Sequence, residues 1–163
     1  IIKTNYEFVT YLSKFCDEMG IKLVHISTDY VYTNSIHNAS EDSVPAPDRS
    51  WYSLSKVLAD EHIILFNKNY LICRLSHKPY PFPYNEAWGD VLTNADYTPV
   101  IASLVIDLIY GGATGIYNVG TETKSIYELA SRTKEVTKTI SPPHIPKNVT
   151  MDLTKLNEFL SKL

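Results

Sequence analysis

The spacing of apolar residues changes between two periods along the first half of the chain. Across residues 5–19 apolar side chains recur every three or four positions, which predicts an amphipathic helix that ends at Gly20. Residues 22–27 follow as a nearly continuous apolar run, typical of a parallel strand that is covered on both faces. A second helical pattern, Trp51–Phe66, is again followed by an apolar run, Tyr70–Leu75. This alternation predicts the α/β class with a parallel sheet.

The second half of the sequence predicts a mixture of loops and shorter elements. Residues 34–49 are polar and contain two prolines, which predicts a surface loop. Residues 78–84 carry proline at alternate positions, a pattern that excludes regular structure and suits a loop lying over a site. A helix is predicted at 99–110, a strand at Gly115–Val119, a helix with a Ser125–Glu128 capping box at 125–137, and a last helix at 153–163.

Composition narrows the classes of function. The 163 residues are 44% hydrophobic and 20% charged, which predicts one globular domain with a core of its own. A net charge of -3 offers no basic surface for nucleic acid or an anionic membrane, and no apolar run approaches the roughly 20 residues of a membrane span. The first residues lack the pattern of a signal peptide, so a cytoplasmic location is expected. Cys16 and Cys73 stand alone, which predicts buried free thiols and no metal site.

The strongest chemical signal is a tyrosine and a lysine at the start of a predicted helix. Tyr52 and Lys56 are one helical turn apart, so they share a face on which the ammonium can favour the phenolate. Such a phenol can exchange a proton with a substrate. Thr28 follows the strand at 22–27, at the sheet edge where ligands bind, and can hydrogen-bond the same substrate oxygen. Tyr-x-x-x-Lys also occurs on ordinary solvated helices, so its neighbours decide its meaning.

Those neighbours resemble a known family. Residues 25–32 read His-Ile-Ser-Thr-Asp-Tyr-Val-Tyr, and Tyr52 follows Thr28 by 52 − 28 = 24 positions. Both features resemble the extended short-chain dehydrogenase/reductases. The resemblance implies the carboxyl-terminal part of a Rossmann-type parallel sheet with a small substrate-binding subdomain. Residues 1–75 would be the remainder of the Rossmann-type domain, and residues 76–163 a substrate-binding region mixed with the last Rossmann elements.

The same resemblance implies roles for individual residues, with NADPH or NADH as the cofactor. Tyr52 would be the general acid, Lys56 would hold the nicotinamide ribose, and Thr28 would orient the substrate carbonyl. Cofactor contacts are implied for Ser27, Tyr52, Lys56 and Arg74, and substrate contacts for Asp29, Tyr30, His77 and Lys78. Asn5 matches an asparagine that supports a proton-relay water in relatives, with an ordinary helix N-cap as the alternative.

Within the family, the sequence is most similar to nucleotide-sugar 4-ketoreductases of the dTDP-4-dehydrorhamnose reductase type. Sugar-nucleotide 4,6-dehydratases carry a glutamate at the position of Tyr30, and a tyrosine cannot supply that carboxylate. The resemblance therefore implies reduction of a nucleoside-diphosphate-linked 4-keto-6-deoxy sugar. It also allows the protein to be a homodimer. Residues 75–88 depart from the usual reductase loop, so the identity of the sugar is not determined. An epimerase and a non-catalytic subunit of the same fold stay open as alternatives.

The glycine-rich phosphate turn of the family, Gly-x-x-Gly-x-x-Gly, does not occur in the sequence. The one glycine cluster, residues 111–115, falls between a predicted helix and a predicted strand, where a turn is expected. We expect the chain to be a fragment of a longer enzyme, because its sheet would otherwise keep an unpaired edge. A naturally shortened relative is the alternative, with impaired NAD(P) binding and a role as a partner or regulatory subunit.

Overall fold

Helices and short strands alternate along the chain. The computed structural model describes residues 1–35 and 37–163. The helices are α1 (Phe8–Met19), α2 (Trp51–Phe66), α3 (Thr98–Tyr110), α4 (Ile126–Ser131) and α5 (Thr154–Leu160). The strands are β1 (Leu23–Ile26), β2 (Tyr70–Leu75), β3 (His77–Lys78), β4 (Glu86–Trp88), β5 (Leu92–Thr93), β6 (Asp96–Tyr97), β7 (Gly115–Val119), β8 (Lys124–Ser125) and β9 (Thr137–Thr139). A π-helical turn, Lys3–Glu7, leads into α1, and a 3₁₀ turn, Asp29–Tyr32, follows β1.

The main sheet has three parallel strands, with β2 between β1 and β7. Every residue of β2 after Tyr70 is buried, which explains why its sequence is a continuous apolar run interrupted only by Arg74. Cys73 lies opposite Ile26 on one side and Tyr117 on the other. The predicted α/β class with a parallel sheet is confirmed.

Helices cover both faces of this sheet because successive side chains of a strand point to opposite sides. Ile72 packs with Val9 of α1 and Ile63 of α2 on one face. Leu71 and the other odd-numbered residues of β2 pack on the opposite face against α3 and α5. Cys16 and Cys73 are both buried free thiols, as predicted. None of the described helices is long and apolar enough to span a membrane.

The remaining strands form two-stranded pairs beside the main sheet: β3 with β6, β4 with β9, and β5 with β8. Helix α4 begins at Ser125 with the predicted capping box, in which Ser125 and Glu128 exchange hydrogen bonds. The prediction that this helix continues to residue 137 is wrong. It ends at Ser131, because Thr137–Thr139 instead pairs with β4 as a parallel strand.

Buried contacts hold the proline-rich segment in place. Residues 79–85 lie outside helices and strands, as predicted, although Lys78 itself pairs with Tyr97 in β3 and β6. The Phe82 ring is buried in a cluster with Tyr97 and Ile126. The backbone N–H of Phe82 also donates to Thr133 Oγ1 at 3.1 Å. A buried aromatic ring and a backbone hydrogen bond therefore fix this loop against the smaller strand pairs.

Candidate active site

The three predicted catalytic side chains line one cleft at the carboxyl ends of β1 and β2. The cleft has a volume of about 210 Å³. It is lined by Ile26, Ser27, Thr28, Tyr52, Lys56, Leu75, Ser76 and His77. Carboxyl ends of parallel strands are where open α/β sheets place their ligands. The arrangement required by the sequence prediction, a shared cavity for Thr28, Tyr52 and Lys56, is present.

Helix α2 presents Tyr52 to solvent and Lys56 to the interior. The helix is capped by Ser50, whose Oγ accepts a hydrogen bond from the Ser53 N–H at 3.1 Å and donates to Asp48 Oδ1 at 2.7 Å. Tyr52 lies in the first turn and is 43% exposed, whereas Lys56, one turn later, is 9% exposed. The phenol therefore sits at the open side of the cleft and the ammonium at its floor.

Two neighbouring groups contact the Lys56 ammonium. Its Nζ donates to the Ile26 carbonyl oxygen at 2.5 Å and lies 3.4 Å from His25 Nε2. Burial lowers the pKa of Lys56, and the negative charge of Asp60 opposes that effect. An ammonium has three N–H donors, so these two partners leave one that can serve a ligand in the cleft.

Thr28 is fixed by its own turn. Its Oγ1 accepts a hydrogen bond from the Tyr30 N–H and donates to Asp29 Oδ1, both at 3.2 Å. The Asp29 carboxyl is 1% exposed, and burial raises its pKa to about 7. Asp29 therefore lies behind Thr28 and does not line the cleft, which contradicts the substrate contact that the resemblance implied for it.

Arg74 also lies away from the cleft, in a buried polar network. Its Nε donates to Asp60 Oδ2 at 3.1 Å and one terminal nitrogen donates to the Tyr32 hydroxyl at 2.6 Å. Ser27 Oγ donates to the same Asp60 oxygen at 2.9 Å. A guanidinium fixed between a carboxylate and a phenol inside the protein stabilises the junction of α2 and β2. The cofactor contact implied for Arg74 therefore finds no support in this geometry.

Of the four predicted substrate residues, His77 and Lys78 line two different cavities. His77 lines the catalytic cleft, with its Nδ1 3.0 Å from Thr98 Oγ1. Lys78 instead lines a larger cavity of about 660 Å³ together with aromatic residues that include Tyr84 and Trp88. Tyr30 does not line the cleft, but its ring packs edge-on against Tyr52, with 6.5 Å between the centroids.

Asn5 joins the first helical segment to α2 through its side chain. It lies inside the π-helical turn, so its assignment as a helix N-cap is wrong. Its side-chain amide donates to Ser55 Oγ at 3.2 Å, and Ser55 Oγ donates to the Tyr52 carbonyl oxygen at 2.7 Å. Asn5 thus links the first helical segment to the turn of α2 that carries Tyr52.

Two buried residues near Lys56 escaped the sequence prediction. His25 interrupts the apolar run of β1, and Asp60 follows Lys56 by one further helical turn on α2. Both are buried, at 7% and 0% exposure. The available signals were a polar residue within a covered strand and the four-residue spacing of Tyr52, Lys56 and Asp60, which places all three on one helix face.

Comparison with family models gives a match over the first part of the chain. Residues 2–78, which include Thr28, Tyr52 and Lys56, match the family model described as the RmlD substrate binding domain. The predicted family resemblance is confirmed. No curated protein matches the sequence.

Solved structures with the same fold include three sugar-nucleotide enzymes. The NADP complex of dTDP-4-dehydrorhamnose reductase from Bacillus anthracis is 22% identical, with a TM-score of 0.76 over 94% of this chain and 64% of that one. The dTDP-4-dehydrorhamnose reductase from Clostridium acetobutylicum is 19% identical, with a TM-score of 0.81 over 98% and 66%. UDP-glucuronic acid 4-epimerase from Bacillus cereus with NAD is 18% identical, with a TM-score of 0.72 over 98% and 62%.

These matches identify the fold as the Rossmann type found in such reductases. The chain spans 64% and 66% of the lengths of the two reductases it matches.

Proposed function

We propose that this chain carries the catalytic residues of an NAD(P)H-dependent reductase acting on a nucleoside-diphosphate-linked 4-keto-6-deoxy sugar. The observation that carries the proposal is the single cleft shared by Thr28, Tyr52 and Lys56. A phenol, an ammonium and a hydroxyl around one small cavity suit proton transfer to a carbonyl oxygen. The substrate class is supported by the reductases that share the fold.

The cleft suits the ribose end of a nicotinamide cofactor. Lys56 keeps one N–H donor beyond Ile26 and His25, which can bind a ribose hydroxyl. Ser27 Oγ donates to Asp60 but retains acceptor capacity where it lines the cleft. A bound nicotinamide would supply the hydride that reduces the ketone. We therefore assign cofactor binding to Ser27 and Lys56, and to Tyr52 as a lining residue of the same cleft.

Tyr52 is the proposed proton donor. Its phenol is the exposed acidic group of the cleft, and it can give its proton to the carbonyl oxygen as that oxygen gains negative charge. Thr28 would hold the same oxygen through its hydroxyl. The one hydroxyl hydrogen of Thr28 points to Asp29 in this structure, so it must turn away from Asp29 to donate to a substrate.

The two cavities offer room for the rest of a sugar nucleotide. His77 lines the cleft and the next residue, Lys78, lines the larger aromatic cavity, so these consecutive residues lie between them. A lysine beside aromatic rings can bind a phosphate and let a base stack. We assign His77 and Lys78 to the diphosphate and the aromatic cavity to the nucleoside.

Substitution of Tyr52 tests the proposal. In the full-length protein, Tyr52→Phe removes the proton donor and keeps the aromatic ring. We expect turnover, followed by NADPH absorbance, to fall by about 10²- to 10⁴-fold. Affinity for NADPH, followed by fluorescence titration, should change little because the other cofactor contacts remain.

The matched control is Tyr11→Phe on α1, where the phenol is 75% exposed and lies outside the cleft. This variant should keep wild-type turnover. Full turnover in Tyr52→Phe would remove Tyr52 as the acid and overturn the proposed mechanism.

An epimerase is the second candidate, because a 4-epimerase with NAD shares the fold. The two reactions differ in cofactor balance. A reductase consumes one NAD(P)H for each product molecule, whereas an epimerase recycles its bound cofactor. The number of NADPH molecules oxidised for each sugar molecule converted therefore distinguishes the two reactions. Tight binding of NADPH and sugar nucleotide without any conversion would instead indicate a non-catalytic subunit.

A further inference from the structure

A buried histidine lies between two opposite charges beneath the catalytic cleft. His25 Nε2 is 3.4 Å from Lys56 Nζ and 3.6 Å from Asp60 Oδ1. All three side chains are buried. Among residues 1–35 and 37–163, Asp60 Oδ1 is one of two buried side-chain oxygens or nitrogens that have no hydrogen-bond partner. The imidazole is therefore within reach of both the cleft lysine and an unsatisfied carboxylate oxygen.

One ring nitrogen cannot serve both neighbours at once. If Nε2 carries a hydrogen, it can donate toward Asp60 Oδ1 but cannot accept from Lys56. If the hydrogen is on Nδ1, the Nε2 lone pair can accept from the Lys56 ammonium, and Asp60 Oδ1 stays without a partner. The tautomer of His25 is thus tied to the protonation state of Lys56.

The surroundings select between these states. Burial and the nearby Lys56 charge lower the pKa of His25 to about 3, so the imidazole is neutral near neutral pH. Arg74 already provides a positive charge for Asp60, with its Nε 3.1 Å from Oδ2. The ammonium, in contrast, has few acceptors: beside His25 only the Ile26 carbonyl oxygen accepts from Lys56 Nζ in the described part of the chain.

We propose that His25 is a positioning residue for the reaction: its Nε2 accepts a hydrogen bond from Lys56 and, with the Ile26 carbonyl, aims the third N–H of the ammonium into the cleft. Asp60 is the buried counter-charge that favours the ammonium form. The catalytic consequence of this contact rests on the proposed reductase function, whereas the contact itself does not. Neither His25 nor Asp60 lines the cleft, so both act through Lys56.

The matched variants are His25→Leu and His25→Gln. Leucine fills much of the space of the imidazole but offers no acceptor. Glutamine places a carbonyl oxygen at a similar reach from the backbone, so it can accept from the ammonium in place of Nε2. Urea unfolding of both variants first establishes that they are folded at the assay temperature.

The first readout needs neither cofactor nor substrate. Competitive acetylation of Lys56 across a pH series, followed by mass spectrometry, gives the pH at which the free amine appears. Removing an acceptor from the charged form favours the neutral amine, so the midpoint should move to lower pH in His25→Leu and return toward wild type in His25→Gln. A purely structural role would change the labelling rate at every pH and leave the midpoint unmoved, which would overturn the proposal.

The second readout is turnover. We expect kcat in His25→Leu to fall about tenfold with a smaller change in the KM for substrate, and His25→Gln to recover part of the loss. If the labelling midpoint moves while wild-type protein shows no NAD(P)H-dependent turnover, the contact stands and the reductase function fails. If turnover is present and equal in all three proteins, His25 has no positioning role.

Discussion

Asp29 should make the free energy of unfolding of this protein depend on pH. The substitution Asp29→Asn should remove that dependence. The carboxyl is 1% exposed and burial raises its pKa to about 7, against 3.8 for the free side chain. Asparagine has nearly the same shape as the protonated carboxyl and its oxygen can still accept from Thr28 Oγ1. The variant Asp29→Asn therefore keeps the local contact and removes the titration.

The expected size follows from the difference between the two pKa values. About three pH units at 1.36 kcal/mol each give about 4 kcal/mol. Because the folded pKa is raised, the contribution of Asp29 to stability is fully present below pH 3.8 and is lost as pH rises through about 7. Over that window the native state holds a proton that the unfolded chain releases, so stability falls with rising pH.

Urea unfolding between pH 4 and pH 8 measures this contribution. The difference in unfolding free energy between Asp29→Asn and wild type should grow by about 4 kcal/mol across the range, in favour of the variant at high pH. Asp42→Asn, at an exposed position in the loop after β1, is the control and should stay within about 0.5 kcal/mol of wild type. Parallel pH curves for Asp29→Asn and wild type would refute the assignment of a buried neutral carboxyl.

Two further predictions concern the support of the cleft. Arg74→Met removes the buried partner of Asp60 and should cost about 3–5 kcal/mol in urea unfolding, whereas Arg132→Met, at a partly exposed ion pair, should cost no more than about 1 kcal/mol. Equal costs would contradict the buried pair. Ser50→Ala removes the cap of α2 and should cost about 1 kcal/mol, which Ser50→Asp should largely restore; a loss that Asp does not restore would contradict the cap.

The local pattern of the sequence was enough to predict the elements that hold the site. The α2 helix has the predicted bounds, because its apolar spacing and the Ser50 cap act within a few residues. The apolar run of β2 likewise identifies a strand that is covered on both faces. The shared cleft of Thr28, Tyr52 and Lys56 followed from a strand end and a helix face, both of which are set by local geometry.

Features that depend on distant pairing could not be predicted in this way. The end of α4 is set by β9, whose partner β4 lies about 50 residues earlier in the chain. The direction of the Arg74 guanidinium is set by Asp60 and Tyr32, which come from two other elements. Asp29 follows Thr28 directly, but the 3₁₀ turn buries its carboxyl behind the cleft. For α4 and Arg74 a tertiary contact that is absent from the local pattern decides the outcome, whereas for Asp29 it is the turn itself.

We propose that Tyr52 and Thr28 act on the oxygen of one substrate carbonyl, while Lys56 holds the ribose of the nicotinamide that delivers hydride to the carbonyl carbon. The most direct measurement is transfer of deuterium from NADPH that carries deuterium at both positions of nicotinamide C4 to a dTDP-linked 4-keto-6-deoxy sugar, followed by mass spectrometry and NMR. We predict one deuterium at C4 of the sugar for each NADPH consumed, and loss of that transfer in Tyr52→Phe. Unlabelled product, or label transfer that persists at full rate in Tyr52→Phe, would contradict it.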